Sequence, residues 1–253
     1  MNLQRRSLSH ELFDALRRGV RRLSQEGRER IVGYVCSQQT PQSAFLNRAG
    51  REDLYYTFFG WLLCAVLDIK SKTPDREAYL ASIQPDTLDD FHRLVYAQAQ
   101  ELHRLLRFGF LRYSLRWISR GMPDEVPSLF QAYVRRSPDS KSVNMLSAQL
   151  IVKGLENGFA LPDVKEEVGY LHRLQDDSGG WRQNAGTGIP DLLSTAVALF
   201  TLGQYGKQPC YDARYFVEAH WQEDGSFAPN LYDTQSDVEY VFYGLLALGA
   251  IRE

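Results

Sequence analysis

Tyr170-Leu171-His172-Arg173-Leu174-Gln175-Asp176-Asp177-Ser178-Gly179-Gly180-Trp181 decides the fold of this chain, because its skeleton returns twice. Tyr34-Val35, Gln39, Ser43 and Phe45 repeat it in outline, and Phe216-Val217, Gln222, Gly225 and Phe227 form a looser copy. Each copy is followed by an Asp that opens an apolar run: Asp53-Leu54-Tyr55-Tyr56, Asp191-Leu192-Leu193-Ser194 and Asp237-Val238-Glu239-Tyr240. Asp191 and Asp237 are 46 residues apart, and Asp53 and Asp191 are 138 apart, three such periods. A period in this range is the signature of an array built from one supersecondary unit.

Two helical patterns alternate around these copies. Residues 163–174 put Val164, Val168, Leu171 and Leu174 on one face and charges elsewhere, which predicts a helix with one wet side. Residues 192–202 are apolar all round, which predicts a helix enclosed on every side. The contrast returns with 212–221 against 238–251, and 54–67 is again enclosed. Asp177-Ser178-Gly179-Gly180 and Asp224-Gly225-Ser226 are turn chemistry between the helices of a pair. Asp53, Asp191 and Asp237 then stand where an N-cap belongs. Between 70 and 160 the cadence fades: Asp86 to about Arg120 reads as one long or two short helices, with Arg104, Arg107, Arg112, Arg116 and Arg120 along it. Segments 124–136 and 139–157 read as another pair, parted by Ser137-Pro138-Asp139. The expectation is one all-α domain over residues 1–253, built of about five to six helical hairpins in two layers.

Composition narrows the function classes. A net charge of −2 gives no global argument for nucleic acid or an anionic membrane. No run approaches 18 consecutive apolar residues, so no bilayer span is expected. Three cysteines without pairing or metal spacing, and no apolar signal-peptide core near the start, suit a cytoplasmic setting. Residues 1–30 carry a helical stripe of Leu12, Phe13, Leu16, Val20 and Leu23 among eight arginines, including Arg5 and Arg6. It predicts a basic amphipathic helix packed on the rest, or a helix offered to a partner or membrane surface.

Aromatic–aliphatic, three residues, Gln, three residues, Gly, one residue, Trp resembles the repeat of squalene and oxidosqualene cyclases. Gln222 to Phe227 is similar to the related repeat of protein prenyltransferase β subunits. The resemblance implies an α/α toroid, with inner helices around a central cavity and outer helices as a belt. It also implies that Gln39, Phe45, Gln175, Gly179, Trp181, Gln222, Gly225 and Phe227 are structural, tying outer-helix ends to the next inner helix.

The chemistry of that superfamily does not transfer with its repeat. Prenyltransferases hold zinc with an Asp, a Cys two residues later, and a His three residues after a later Asp. Here Asp191 fits the first, but Leu193 and Tyr240 occupy the other two places, so no metal is expected. The cyclases protonate an alkene with an Asp-x-Asp-Asp motif, and this chain has none. Asp86-Thr87-Leu88-Asp89-Asp90 is a near miss at a helix start, where capping is the simpler role. No P-loop, dinucleotide fingerprint or nucleophile elbow appears, and no cofactor is expected. Asp191 and Asp237 remain candidate acids as well as caps. Asp53, Tyr55, Tyr56, Phe59, Tyr240 and Tyr243 are candidate cavity or ligand residues, the rings suiting an isoprenoid tail or a cation.

Two functions of different class follow. One is a toroid that binds an isoprenoid or other apolar ligand in its cavity, with a small terpene cyclase using a non-standard acid as its enzymatic alternative. The other is a non-catalytic module or subunit that pairs with a helical protein partner.

Overall fold

The computed structural model describes residues 8–70, 73–108, 131–132, 134–135, 141–157, 159 and 164–252. Arg5, Arg6, Arg112, Arg116, Arg120 and most of the helix expected at 124–136 lie outside them. The described chain is mostly helical, with two small sheets. In order it runs α1 (Leu8–Arg22), α2 (Gln25–Ser37), β1 (Phe45–Leu46), β2 (Glu52–Asp53), α3 (Leu54–Leu67), α4 (Thr73–Ser82), a 3₁₀ turn (Pro85–Thr87) and α5 (Asp90–Phe108). There follow α6 (Val143–Asn157), α7 (Lys165–Leu174), β3 (Trp181–Arg182), β4 (Pro190–Asp191), α8 (Leu192–Gln204), α9 (Arg214–Ala219) and α10 (Val238–Ala250).

The helices that are apolar all round, α3, α8 and α10, lie in the interior, with α5 and α6 flanking them. Contacts run α6 to α8, α8 to α10, α10 to α3 and α3 to α5. Each of these five helices starts on a side-chain acceptor. Asp53, Asp191 and Asp237 cap α3, α8 and α10. Asp89 accepts from the His92 amide at 2.8 Å, and Ser142 Oγ from the Met145 amide at 3.3 Å. The short polar residues at the expected helix starts thus satisfy amides that have no partner within the helix. Half-wet helices cover the outside: α2 lies on α3, α4 on α5, α7 on α6 and α9 on α10. In α7 the buried residues are Val168, Leu171 and Leu174, as the periodicity requires.

The repeated motif is a turn and a two-residue hairpin. Bridges Gln39–Phe45, Gln175–Trp181 and Trp221–Phe227 mark the same step in each copy. Strands β1–β2 and β3–β4 then pair antiparallel, Phe45 facing Asp53 and Trp181 facing Asp191. Two of the three rings are buried on a glycine of the helix behind them. Phe45 packs over Gly60 and Phe227 over Gly244, where a Cβ would sit 2.3 and 2.5 Å from ring carbons. Two of the copies tie the ring residue to its helix as well. Thr57 Oγ1 accepts from the Phe45 amide and Thr195 Oγ1 from the Trp181 amide, both at 2.9 Å.

One expectation is corrected here. The sequence aligns Gln222 with Gln175, but the bridge to Phe227 is made by Trp221. The turn sets the register: Ser43, Gly179 and Gly225 all have positive φ, at 61°, 90° and 91°, and the buried ring follows two residues later. Counting back from that turn puts Trp221 at the Gln position. Gln222 instead closes its own loop, donating from Nε2 to the Thr234 carbonyl at 2.8 Å. Gln175 does span two repeats, but towards the next outer helix. Its Oε1 accepts from the Cys210 and Tyr211 amides at 2.7 and 3.1 Å, just before α9.

The last copy seats on the first. A Cβ at Gly225 would lie 2.4 Å from the Arg30 backbone of α2, as one at Gly179 would lie 2.1 Å from the Asp212 carbonyl before α9. Helix α1 crosses α10 with the two backbones touching at Gly19 and Gly249. Its stripe residues Phe13, Leu16 and Val20 are buried. Its arginines are partly structural: Arg18 Nε donates to the Gly249 carbonyl at 2.9 Å. Arg22 donates to the Leu248 and Ile251 carbonyls at 2.6 and 2.9 Å. Those are carbonyls at the end of α10, where positive charge is favourable. No described helix is long and apolar enough to cross a membrane.

Candidate functional site

Tyr55 and Tyr56 follow the cap of α3, and Glu239 and Tyr240 follow the cap of α10. Because α3 and α10 are neighbours, the side chains of their first turns meet. The Tyr55 ring stands edge-on to Phe59 and Tyr56, with centroids at 4.9 and 5.6 Å, and 5.5 Å from Phe91 of α5. Phe59 lies 4.8 Å from Phe242 and 5.8 Å from Tyr243, and Tyr243 lies 6.4 Å from Tyr240. All five rings singled out in the sequence therefore belong to one cluster. Tyr55, Tyr56, Tyr240 and Tyr243 keep part of their surface accessible.

The caps sit at the edge of this cluster. Asp53 Oδ1 accepts from the amides of Tyr55 and Tyr56 at 2.8 and 3.4 Å. Asp191 accepts from the amide and the hydroxyl of Ser194, each at 2.7 Å. Burial raises the Asp191 carboxyl above the usual range, against the lowering effect of the Ser194 bonds. Asp237 is 2% exposed, accepts from the Tyr240 amide at 3.1 Å, and pairs through Oδ2 with Arg48 Nε at 2.8 Å. Both of its oxygens are thus committed. The Leu192 amide donates to the Pro229 carbonyl at 2.9 Å, which joins the cap segment of α8 to the loop before α10.

Two residues that sequence reasoning missed complete the site. Glu239 is 8% exposed, and its Oε1 accepts from the Tyr55 hydroxyl at 2.6 Å. Burial first, and then the charge of Asp237, push its carboxyl up to about 7, while the Tyr55 bond and Arg48 act the other way. A carboxyl so buried keeps its proton to a higher pH than an ordinary glutamate does. Burial likewise raises the hydroxyls of Tyr55, Tyr240 and Tyr243, and lifts that of Tyr56 to about 12. They are neutral donors. Arg48, in the turn between β1 and β2, pairs with Asp237, donates from Nη1 to Asp233 at 3.1 Å, and lies 5.2 Å above the Tyr240 ring. The sequence did carry one signal: Glu239 is the only charged residue in the apolar run 238–250. Arg48 sits in an ordinary polar turn and carried none.

Other sequence features find structural roles. Asp86 lies in the 3₁₀ turn and Asp89 caps α5, so the near-miss acidic motif makes a helix start. Arg104 pairs with Glu101, and Arg107 with Glu77 at 3.0 Å. Among the described residues no three His, Cys, Asp or Glu side chains are arranged to hold a metal ion. Comparison with protein-family models gives no match, and comparisons with curated proteins and with solved structures give none either.

Proposed function

We propose that this chain is a prenyltransferase- and cyclase-like α/α toroid that binds an isoprenoid or other apolar ligand against the rings at the start of α3 and α10. Glu239, rather than the committed Asp237, is the acid it presents to that ligand. The inner-helix order α6, α8, α10, α3, α5 and the seating of Gly225 on α2 support a closed ring. The observation that carries the ligand reading is the buried Glu239 carboxyl bonded to Tyr55 inside an aromatic cluster. A purely structural interior has no use for an acid there, since burying one costs free energy that an apolar residue does not.

The test is direct binding of farnesol and geranylgeraniol to purified protein, followed by intrinsic fluorescence and thermal shift. Saturable binding that Tyr55→Ala and Tyr243→Ala weaken is the expected result. Failure of every isoprenoid to bind at saturating concentration refutes the reading. The second function, a module that docks a protein partner, draws support from Leu231 and Tyr232, which are 62% and 80% exposed on the loop before α10. Loss of a co-purifying partner on Leu231→Ser/Tyr232→Ser would favour it.

A further inference from the structure

Resting on the reading of this cluster as an apolar ligand site, we infer that the ligand head it takes is cationic, a lipophilic amine or ammonium, with Glu239 as counter-ion. A diphosphate head is excluded.

Charge is the first argument. Asp53, Asp191, Asp233, Asp237 and Glu239 gather at this end of α3, α8 and α10. Among the described residues in that cluster the only cation is Arg48, and it is already held by Asp233 and Asp237 at 3.1 and 2.8 Å. A diphosphate would meet several carboxylates and no available guanidinium.

Helix geometry is the second argument. A helix N-terminus can bind phosphate through its free amides. Here those amides are taken by the chain's own carboxylates: Tyr55 and Tyr56 by Asp53, Ser194 by Asp191, and Tyr240 by Asp237. The same capping cancels much of the positive end of each helix dipole.

The third argument concerns what the site offers instead. Tyrosine and phenylalanine faces attract cations through their ring quadrupoles, most strongly when both partners are desolvated. Arg48 over Tyr240 at 5.2 Å is one such pair at this very place. Glu239 adds a carboxyl whose Oε1 is held by Tyr55, while Oε2 has no hydrogen-bond partner among the described residues. A buried acid with one open oxygen, next to rings that keep accessible surface, is the complement of an N–H⁺ or alkylammonium group on an apolar tail. Binding makes and breaks no covalent bond in the ligand: the ammonium stays protonated, and any proton that Glu239 still carries is released to solvent as the carboxylate pairs with it.

Three probes with one tail and different heads test this. Farnesol, farnesylamine and farnesyl diphosphate are titrated at pH 7.5 into the wild-type protein and into Glu239→Gln, with intrinsic fluorescence and calorimetry as readouts. The expected order is farnesylamine about tenfold tighter than farnesol, and farnesyl diphosphate weaker than both. In Glu239→Gln the preference for the amine over farnesol disappears, and circular dichroism with thermal unfolding reports separately that the variant is folded. Equal or tighter binding of the diphosphate overturns the inference, and so does an amine preference that survives in Glu239→Gln. Farnesol binding without any amine preference overturns it but leaves the apolar-ligand reading standing. Failure of all three probes to bind overturns both.

Discussion

Replacing Gly249 by Ala tests the crossing on which the N-terminal helix is seated. A Cβ there would lie 1.7 Å from the Ala15 carbonyl oxygen, 2.6 Å from its carbon and 2.8 Å from the Gly19 amide nitrogen. Close carbon–oxygen contacts settle at about 3.3–3.6 Å, so α1 and α10 would have to part by well over an ångström. A gap of only about 0.5–1 Å already forfeits a quarter to a half of each dispersion contact across the crossing. Phe13, Leu16 and Val20 are buried on that side, and Arg18 bonds to Gly249 itself. Overpacking of this kind costs about 1–3 kcal/mol, and loosened contacts add to it. Against this, Ala in a helix is favoured over Gly by about 1 kcal/mol. The expected net loss is about 2 kcal/mol, a fall in Tm of about 4–8 °C for a chain of this size. Gly33→Ala is the matched control, since Gly33 lies in α2 with nothing within 4 Å of the added methyl. It should gain about 0.5–1 kcal/mol. Urea and thermal unfolding of the two variants read both effects. A Gly249→Ala protein as stable as the wild type refutes the close crossing of α1 and α10.

Thr195→Val removes the acceptor of the buried Trp181 amide. It should cost about 1–3 kcal/mol in denaturant titrations, and a neutral result would mean that the hairpin is not anchored through this bond. Arg48→Ala strands Asp237, which is 2% exposed, and should cost about 3 kcal/mol. Asp233→Asn breaks the more exposed arm of the same pair and should cost under about 1 kcal/mol. Equal losses in these two variants would contradict the assigned geometry. Glu239 has a distinct pH signature. Its carboxyl moves from 4.5 to about 7 on folding, so the folded state keeps a proton that the unfolded chain has released between those values. Its stabilising effect is fully present below pH 4.5 and is lost as pH rises through about 7. The wild type should therefore lose about 3 kcal/mol relative to Glu239→Gln between pH 4.5 and 8. Parallel stability profiles for the two proteins would show that Glu239 is not buried as described.

Much of the fold was legible because its signals are local. A Gly or Ser in a left-handed turn, a buried ring two residues later, and an Asp before an apolar run act within about twenty residues of one another. Asp53, Asp191 and Asp237 therefore announced the starts of α3, α8 and α10, and the all-round apolar composition of 54–67, 192–202 and 238–251 marked them as interior. The third copy was misaligned by one residue because Gln222 has the expected chemistry, whereas backbone geometry counts from Gly225. The site was half legible. Tyr55, Tyr56, Phe59, Tyr240 and Tyr243 could be named as aromatic residues near helix starts, but nothing local says that α3 and α10 are neighbours.

By itself, then, the sequence determined the elements: which helices are enclosed, where each begins, and which turns join them. Those choices rest on capping, φ preference and periodicity, which act at short range along the chain. Only the tertiary structure decided the partners. Tyr55 meets Glu239 across 184 residues and Arg48 meets Asp237 across 189, because the last repeat packs back on the first. An unremarkable turn arginine and a single Glu in an apolar run acquire their roles from that contact. Burial between two helices distant in sequence is what sets the proton affinity of Glu239.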